Sequence, residues 1–323
     1  MAIIANTFTS FNAAGIRESL ANTIAMISPE DTPFMSNIGS TKVSNTRFDW
    51  QTDALGAVVT TARIDGDDVA AFDATPATTR IGNYSQILRR TVIVADNLEF
   101  QDKAGRANEL SYQLAHRGRE LKRDIESVLL LNNAAAVGAA PNTPRQTAGL
   151  GAWVAANVVL STGGGANGAN PANANGTAAR TDGTQRAMTE PMVKTVMQSA
   201  YANGGKPSML MVGAFNKGTV SGFAGIAAQR YMAPSDSPTT IIGTADVYMS
   251  DFGTLNVVPN RFQRARDTWL IDPEYVSVAN LRPIEQKVLA KTGDAEKRMV
   301  IWEGGLIVNT QAAHGLVADC TTT

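Results

Sequence analysis

The sequence predicts an α+β fold with three parts in succession: a long extended β excursion, one unusually long helix, and a mostly antiparallel sheet. Three observations carry this. From Arg47 to Ala95 strand-like runs are broken only by turn residues. From Asn97 to Leu131 apolar residues recur at helical spacing, and beyond Ser208 short apolar β-prone runs recur almost to the end. With 323 residues the chain makes roughly two folding units of about 150 residues, enough to bury a core unaided.

Taken in order, the first dozen residues show no periodicity and read as an extended arm. Ile16, Leu20, Ile24 and Ile27 mark a helix over 13–27, which Pro29 and Pro33 end. In the excursion, Phe48–Trp50 and Leu55–Val59 lead to a polar tip at Asp65-Gly66-Asp67-Asp68, and Gln86–Val94 reads as the returning strand. Such a hairpin has too little apolar surface to stand alone and must lie on something else.

The helix of about 97–131 carries Leu110, Leu114, Leu121, Ile125, Val128 and Leu129 on one stripe, with Asp96 or Asn97 as cap. Some 30 residues would make a rod of roughly 45 Å, a spine across a whole domain. Gly163–Thr184 holds no Leu, Ile, Val or aromatic residue and reads as a loop that a neighbouring subunit would order. Met192, Val193, Val196, Met197 and Ala200 predict a helix after Glu190-Pro191, and Ser208–Gly213 a buried strand. Further strands are expected at 246–249, 255–258, 268–271, 276–279 and 299–302.

Composition excludes several function classes. The 28 Lys and Arg against 29 Asp and Glu leave a net charge of −1, too little positive charge for a dedicated nucleic-acid binder. The single Cys320 excludes a disulfide framework and a Cys₄ metal site. No basic-then-apolar leader opens the sequence and no run approaches 18 apolar residues, so a soluble chain made in a reducing cytoplasm is expected. At 18% charged residues the surface is lightly charged, as expected if copies of the chain cover one another.

No catalytic constellation emerges. His116 lies mid-helix and His314 near the end; both read as structural or solvated side chains, and together they cannot form a His-rich metal site. Cys320 has no neighbouring base. Gly163–Gly168 matches Gly-x-Gly-x-x-Gly formally, but the Ala169-Asn170-Pro171 that follows cannot start the helix a dinucleotide site requires. Gly204-Gly205-Lys206 is followed by Pro207, so it is not a phosphate-binding loop of Walker type. No cofactor is expected. Among charge clusters, Asp65, Asp67 and Asp68 lack the remaining ligands of a calcium loop and read as an acidic tip facing a basic neighbour. Arg89, Arg90, Arg261, Arg264 and Arg266 are candidates for intersubunit ion pairs or simply solvated cations, and less so for nucleic-acid contacts, which their Asp and Glu neighbours dilute.

The order of elements, with several local phrases, resembles the major capsid protein of tailed bacteriophages, of Hong Kong 97-type fold. The phrases are Ile27–Pro33, Phe48-Asp49-Trp50-Gln51-Thr52-Asp53, Asp251–Arg261, Leu281-Arg282-Pro283 and Lys291–Arg298. The likeness covers nearly the whole chain and departs at the insertion of 160–185. It implies an N-terminal arm and short helix at 1–30 and an E-loop at 46–95. It implies a P-domain from 31–45, 96–135 and 262–323, and an A-domain at 136–261.

The function implied is self-assembly into hexamers and pentamers of an icosahedral head shell. Such a shell encloses double-stranded DNA without sequence-specific contacts, is assembled in the host cytoplasm and ends in the virion. Partners implied are further copies of the chain, portal and scaffolding proteins, and decoration proteins. In this family a chain beginning at Met1 implies scaffolding supplied by a separate protein or removed by another route. The excursion contains no Lys, so an E-loop lysine cross-link is not expected. An encapsulin-like cargo compartment is the alternative on the same fold, and an enzyme using carboxylates alone is a remoter one.

Overall fold

A computed structural model describes residues 28–223 and 246–322, apart from short stretches at 69–71, 73–74, 76, 102, 104, 140–141 and 163–164. The predicted arm and the helix over 13–27 lie outside the described residues. The described elements are α1 (Pro33–Asn37), β1 (Gly39–Lys42), β2 (Arg47–Thr52), β3 (Thr79–Tyr84), β4 (Gln86–Ala95), α2 (Asp96–Phe100), α3 (Glu109–Leu129), β5 (Val158–Val159), α4 (Glu190–Ala202), β6 (Met209–Val212), α5 (Ala214–Ser221), β7 (Val247–Ser250), β8 (Gly253–Pro259), β9 (Thr268–Ile271), β10 (Val276–Val288), β11 (Ala295–Val308) and β12 (Gly315–Val317).

These make three sheets. One has the order β1-β10-β11-β4, antiparallel except for the parallel β1–β10 pair. Leu121, Ile125 and Leu129 of α3 are fully buried in the core they share with Val278, Val300, Trp302 and Leu306 of this sheet. The second sheet has the order β5-β12-β9-β6-β8-β7 and is mixed, with parallel pairs at β5–β12 and β6–β8. β6 is buried on both faces: Met209 and Met211 join the α3 core, while Leu210 and Val212 join a second core with Val193, Val196 and Met197 of α4. The third is the β2–β3 hairpin, from the Arg47–Tyr84 pair to the Thr52–Thr79 pair.

Two expectations are corrected. Gln86–Ala95 is a strand, but it pairs with β11; β3 returns the excursion instead. The chain changes sheets at Ser85, whose N–H donates to Thr46 O at 2.7 Å and whose hydroxyl donates to Glu303 at 3.0 Å. The long helix is also shorter than its pattern, because it breaks between Phe100 and Glu109. Gly105 takes a left-handed φ of 79°, and Asn108 caps α3 by accepting from Ser111 N at 2.6 Å. The 21 residues of α3 make a rod of about 31 Å. Glu99 on α2 bridges the break by accepting from the N–H groups of Leu110 at 2.8 Å and Glu109 at 3.3 Å.

Candidate assembly surface

Among the described residues the hairpin is anchored at its base. Phe48 is buried, Trp50 donates its indole N–H to Val308 O at 3.1 Å, and the Trp50 and Trp153 rings stand 5.2 Å apart. Beyond Thr52 the chain leaves its own core. Leu55 is 99% exposed, Val58 90%, Ile64 84% and Phe72 90%. The backbone of 55–62 makes no hydrogen bond to another described residue. Apolar side chains and unpaired amides held in water over this length are what an interface looks like before its partner arrives. Asp65, Asp67 and Asp68 crown this segment, all exposed, around a turn in which Gly66 has φ 83° and Asp67 N donates to Ile64 O.

The candidate arginines divide. Arg89 and Arg261 are exposed and make no ion pair among the described residues. Arg90 turns to α3 and clamps Asp124 through two bonds of 2.6 and 2.7 Å. Arg264 pairs with Asp182 and, at 3.2 Å, with Asp267; Arg266 pairs with Asp319 at 2.8 Å and Asp182 at 3.3 Å. Arg90 and Arg264 therefore spend their charge within the chain.

That second group belongs to a clasp that sequence reasoning missed. Arg180, its side chain fully buried, meets the equally buried Asp267 at 2.6 Å. The Asp319 carboxylate accepts from Gly183 N at 2.9 Å and Ser161 N at 3.3 Å, closing the stem of the Gly/Asn-rich insertion. Asn132 reads the backbone of Arg180 in both directions, at 2.7 and 2.8 Å. The chain's own residues thus order the loop expected to need a neighbour. Burial raises the Asp182 pKa, but Arg264 and Arg266 outweigh it and hold the group below the usual carboxylate range. For Asp267 burial wins and the pKa is raised despite Arg180 and Arg264.

Glu126 was also missed. Fully buried on α3, it accepts from Phe34 N at 2.7 Å, Met35 N at 2.9 Å and Asn260 Nδ2 at 2.7 Å, tying α1, α3 and the end of β8 together. Burial pushes its pKa up. Nothing local distinguishes Glu126 from the solvated carboxylates around it.

The remaining reactive groups are occupied in packing. Burial pushes the Cys320 thiol up to about 11, and His314 is fully buried while the His116 and Tyr112 rings meet tilted at 56°, their centroids 4.4 Å apart. Among the described residues no cluster of three or more His, Cys, Asp and Glu is placed to hold a metal ion, and no helix is long and apolar enough to cross a membrane.

The family model of the SU10 major capsid protein matches residues 3–321. The chain belongs to this family. A curated relative, the major capsid protein of Escherichia phage Phieco32, is 40% identical over 128 residues, which span 39% of this chain and 36% of that protein. Among solved structures, the Cyanophage A-1(L) capsid asymmetric unit superposes with a TM-score of 0.69 at 12% identity, over 98% of this chain and 99% of that one. The capsid of a native GTA particle gives 0.58 at 14%, over 97% and 98%. Phage G major capsid and decoration proteins give 0.52 at 8%, over 99% and 100%. The fold of this SU10-family chain is the Hong Kong 97-type capsid fold.

Proposed function

We infer that this SU10-family chain is the structural subunit of a tailed-phage head. It joins head to tail into hexamers and pentamers that close an icosahedral shell around double-stranded DNA. The single observation that carries the structural reading is the excursion beyond Thr52, whose apolar side chains find no cover among the described residues. The family match favours a phage shell over a cargo compartment. On this reading the β2–β3 excursion is the E-loop, the sheet packed on α3 belongs to the P-domain with β4 included, and the six-stranded sheet belongs to the A-domain with β9 and β12 drawn from 262–323. The chain acts by assembly rather than catalysis, with portal and scaffolding proteins as partners and the host cytoplasm as the place of assembly. Decoration proteins would be further partners on the finished shell.

Expression of the full chain, followed by sedimentation and electron microscopy, tests this. Closed shells, tubes or hexamer-sized rings are expected, with nucleic acid rather than cargo protein inside particles recovered from infection. A chain that stays monomeric even with a co-expressed scaffolding protein would overturn the reading.

A further inference from the structure

We propose that Asp65-Gly66, at the tip of the excursion, is a self-modifying site where the backbone rearranges to isoaspartate without an enzyme. The Gly66 amide nitrogen attacks Cγ of the Asp65 carboxylic acid. A C–N bond forms, a C–O bond breaks, and the amide proton leaves with the hydroxyl as water, closing a succinimide ring. A second water opens the ring at either carbonyl. Opening at the former backbone carbonyl routes the chain through Cβ, which adds one methylene and leaves the α-carboxylate as the side group. No oxidant and no co-reactant other than water is needed.

Asn or Asp is followed by glycine at Asp65, Asn167, Asn175, Asp182 and Asn203, and glycine favours this attack because it has no Cβ to block the approach. Four of these pairs are locked. Attack needs a glycine N–H that is free to lose its proton and to turn toward the side chain before it. Gly168 N instead donates to Ser161 O at 3.0 Å, Gly176 N to Ala152 O at 3.3 Å, Gly183 N to Asp319 at 2.9 Å and Gly204 N to Tyr201 O at 3.1 Å. Side chains are held as well. Asn175 Oδ1 accepts from Thr177 Oγ1 at 2.6 Å, Asp182 pairs with Arg264 and Arg266, and Asn203 donates to Asn157 at 2.7 Å.

Asp65-Gly66 escapes both restraints. Both residues are exposed, and the Gly66 N–H makes no hydrogen bond to another described residue. Asp65 joins no ion pair among the described residues, since Arg63 turns to Asp67 at 3.7 Å. Ile64–Asp67 is a turn closed by the Asp67 N–H bond to Ile64 O at 3.0 Å, with Gly66 third at a φ of 83°. The reacting peptide is the central one of this turn, and it can rotate without breaking the closing bond. The unbonded backbone of 55–62 beside it makes local opening cheap. The chemistry stands apart from the shell-forming reading. On that reading, however, it alters an assembly surface and so ages subunits that wait to assemble.

Full-length subunits, separated from any particles by sedimentation, are incubated for several weeks at neutral pH in heavy-oxygen water. Peptide mass spectrometry then reads the heavy oxygen taken up at each pair and the fragment ions that distinguish isoaspartate from aspartate. Isoaspartate carrying heavy oxygen is expected at position 65, about tenfold or more above its level at Asp182, with Asn167, Asn175 and Asn203 unchanged. In denaturant the protection ends, and the three Asn-Gly pairs are expected to react ahead of Asp65. Asp65→Glu, whose attack would need a six-membered ring, should remove the signal at the tip. Absence of isoaspartate at 65 in the folded chain overturns the proposal. So does reaction of an Asn-Gly pair before Asp65 in the folded chain, or a tip signal that survives in the glutamate variant. These readouts are the same whether or not the chain forms shells, so failure of assembly leaves them standing.

Discussion

His314 makes the stability of the subunit fall on mild acidification, by an amount the structure sets. The side chain is fully buried between the turn at 311–313 and β12, and its Nδ1 accepts from Asp272 N at 3.3 Å. Burial lowers its pKa from 6.5 to about 4. A folded-state pKa below the unfolded one means that the unfolded chain takes up the proton first. The contribution is complete above pH 6.5 and is lost as pH falls toward 4. At about 1.4 kcal/mol per pH unit, the loss reaches about 2 kcal/mol by pH 5. Burial also pushes the Asp272 carboxyl up, so the measurement is a difference. Chemical denaturation of wild-type and His314→Gln subunits at pH 7.5, 6 and 5 isolates the imidazole, because every other group is common to both. The stability gap between the proteins is expected to shift by about 2 kcal/mol in favour of the glutamine variant between pH 7.5 and 5. Parallel pH profiles would refute the argument that burial keeps this histidine neutral.

Three further perturbations follow from the packing. Glu126→Ala leaves two buried backbone N–H groups and the Asn260 amide without their acceptor and is expected to cost about 4 kcal/mol, read as a lowered melting temperature. Arg180→Met removes the nearer of the two cations on the buried Asp267, leaving Arg264 at 3.2 Å, and should lower the melting temperature, while adding Asp267→Asn should restore part of the loss in the same melt. Two glycine substitutions should move stability in opposite directions. Gly118→Ala in α3 meets open space and should stabilise by about 0.5–1 kcal/mol, whereas Gly176→Ala forces a Cβ to within 2.6 Å of Trp153 at a φ of 78° and should lower soluble yield.

What the sequence disclosed depended on how local the cause was. The α4 stripe and β6 were legible because continuous or periodic burial writes itself into consecutive residues, and Val193, Val196 and Met197 are where that pattern puts them. The full extent of the spine was not. The expected helix began at Asn97, while the break depends on one left-handed glycine, Gly105, and a capping Asn108. The strand pairing of the excursion was missed for a related reason. Gln86–Val94 is the more β-prone run, yet the polar Thr79–Tyr84 pairs with β2, and Ser85 bonds that turn the chain into another sheet are visible only in three dimensions. The acidic crown and exposed Arg89 could be named from charge alone. That Arg90 and Arg264 are instead consumed within the chain depends on partners 34 and 82 residues away.

The clasp at Asp319 also makes the particle a platform for carrying foreign sequence. One carboxylate holds Ser161 and Gly183 together, so the stem of the insertion is closed from outside the loop itself. Lengthening a loop with a fixed stem costs little, about 0.6 kcal/mol per doubling of its length. Exposed positions such as Ala166 and Asn167 can therefore accept an added peptide while both cores keep their packing. Such an insertion would be repeated once for every copy of the chain, without redesign of the two cores that support it.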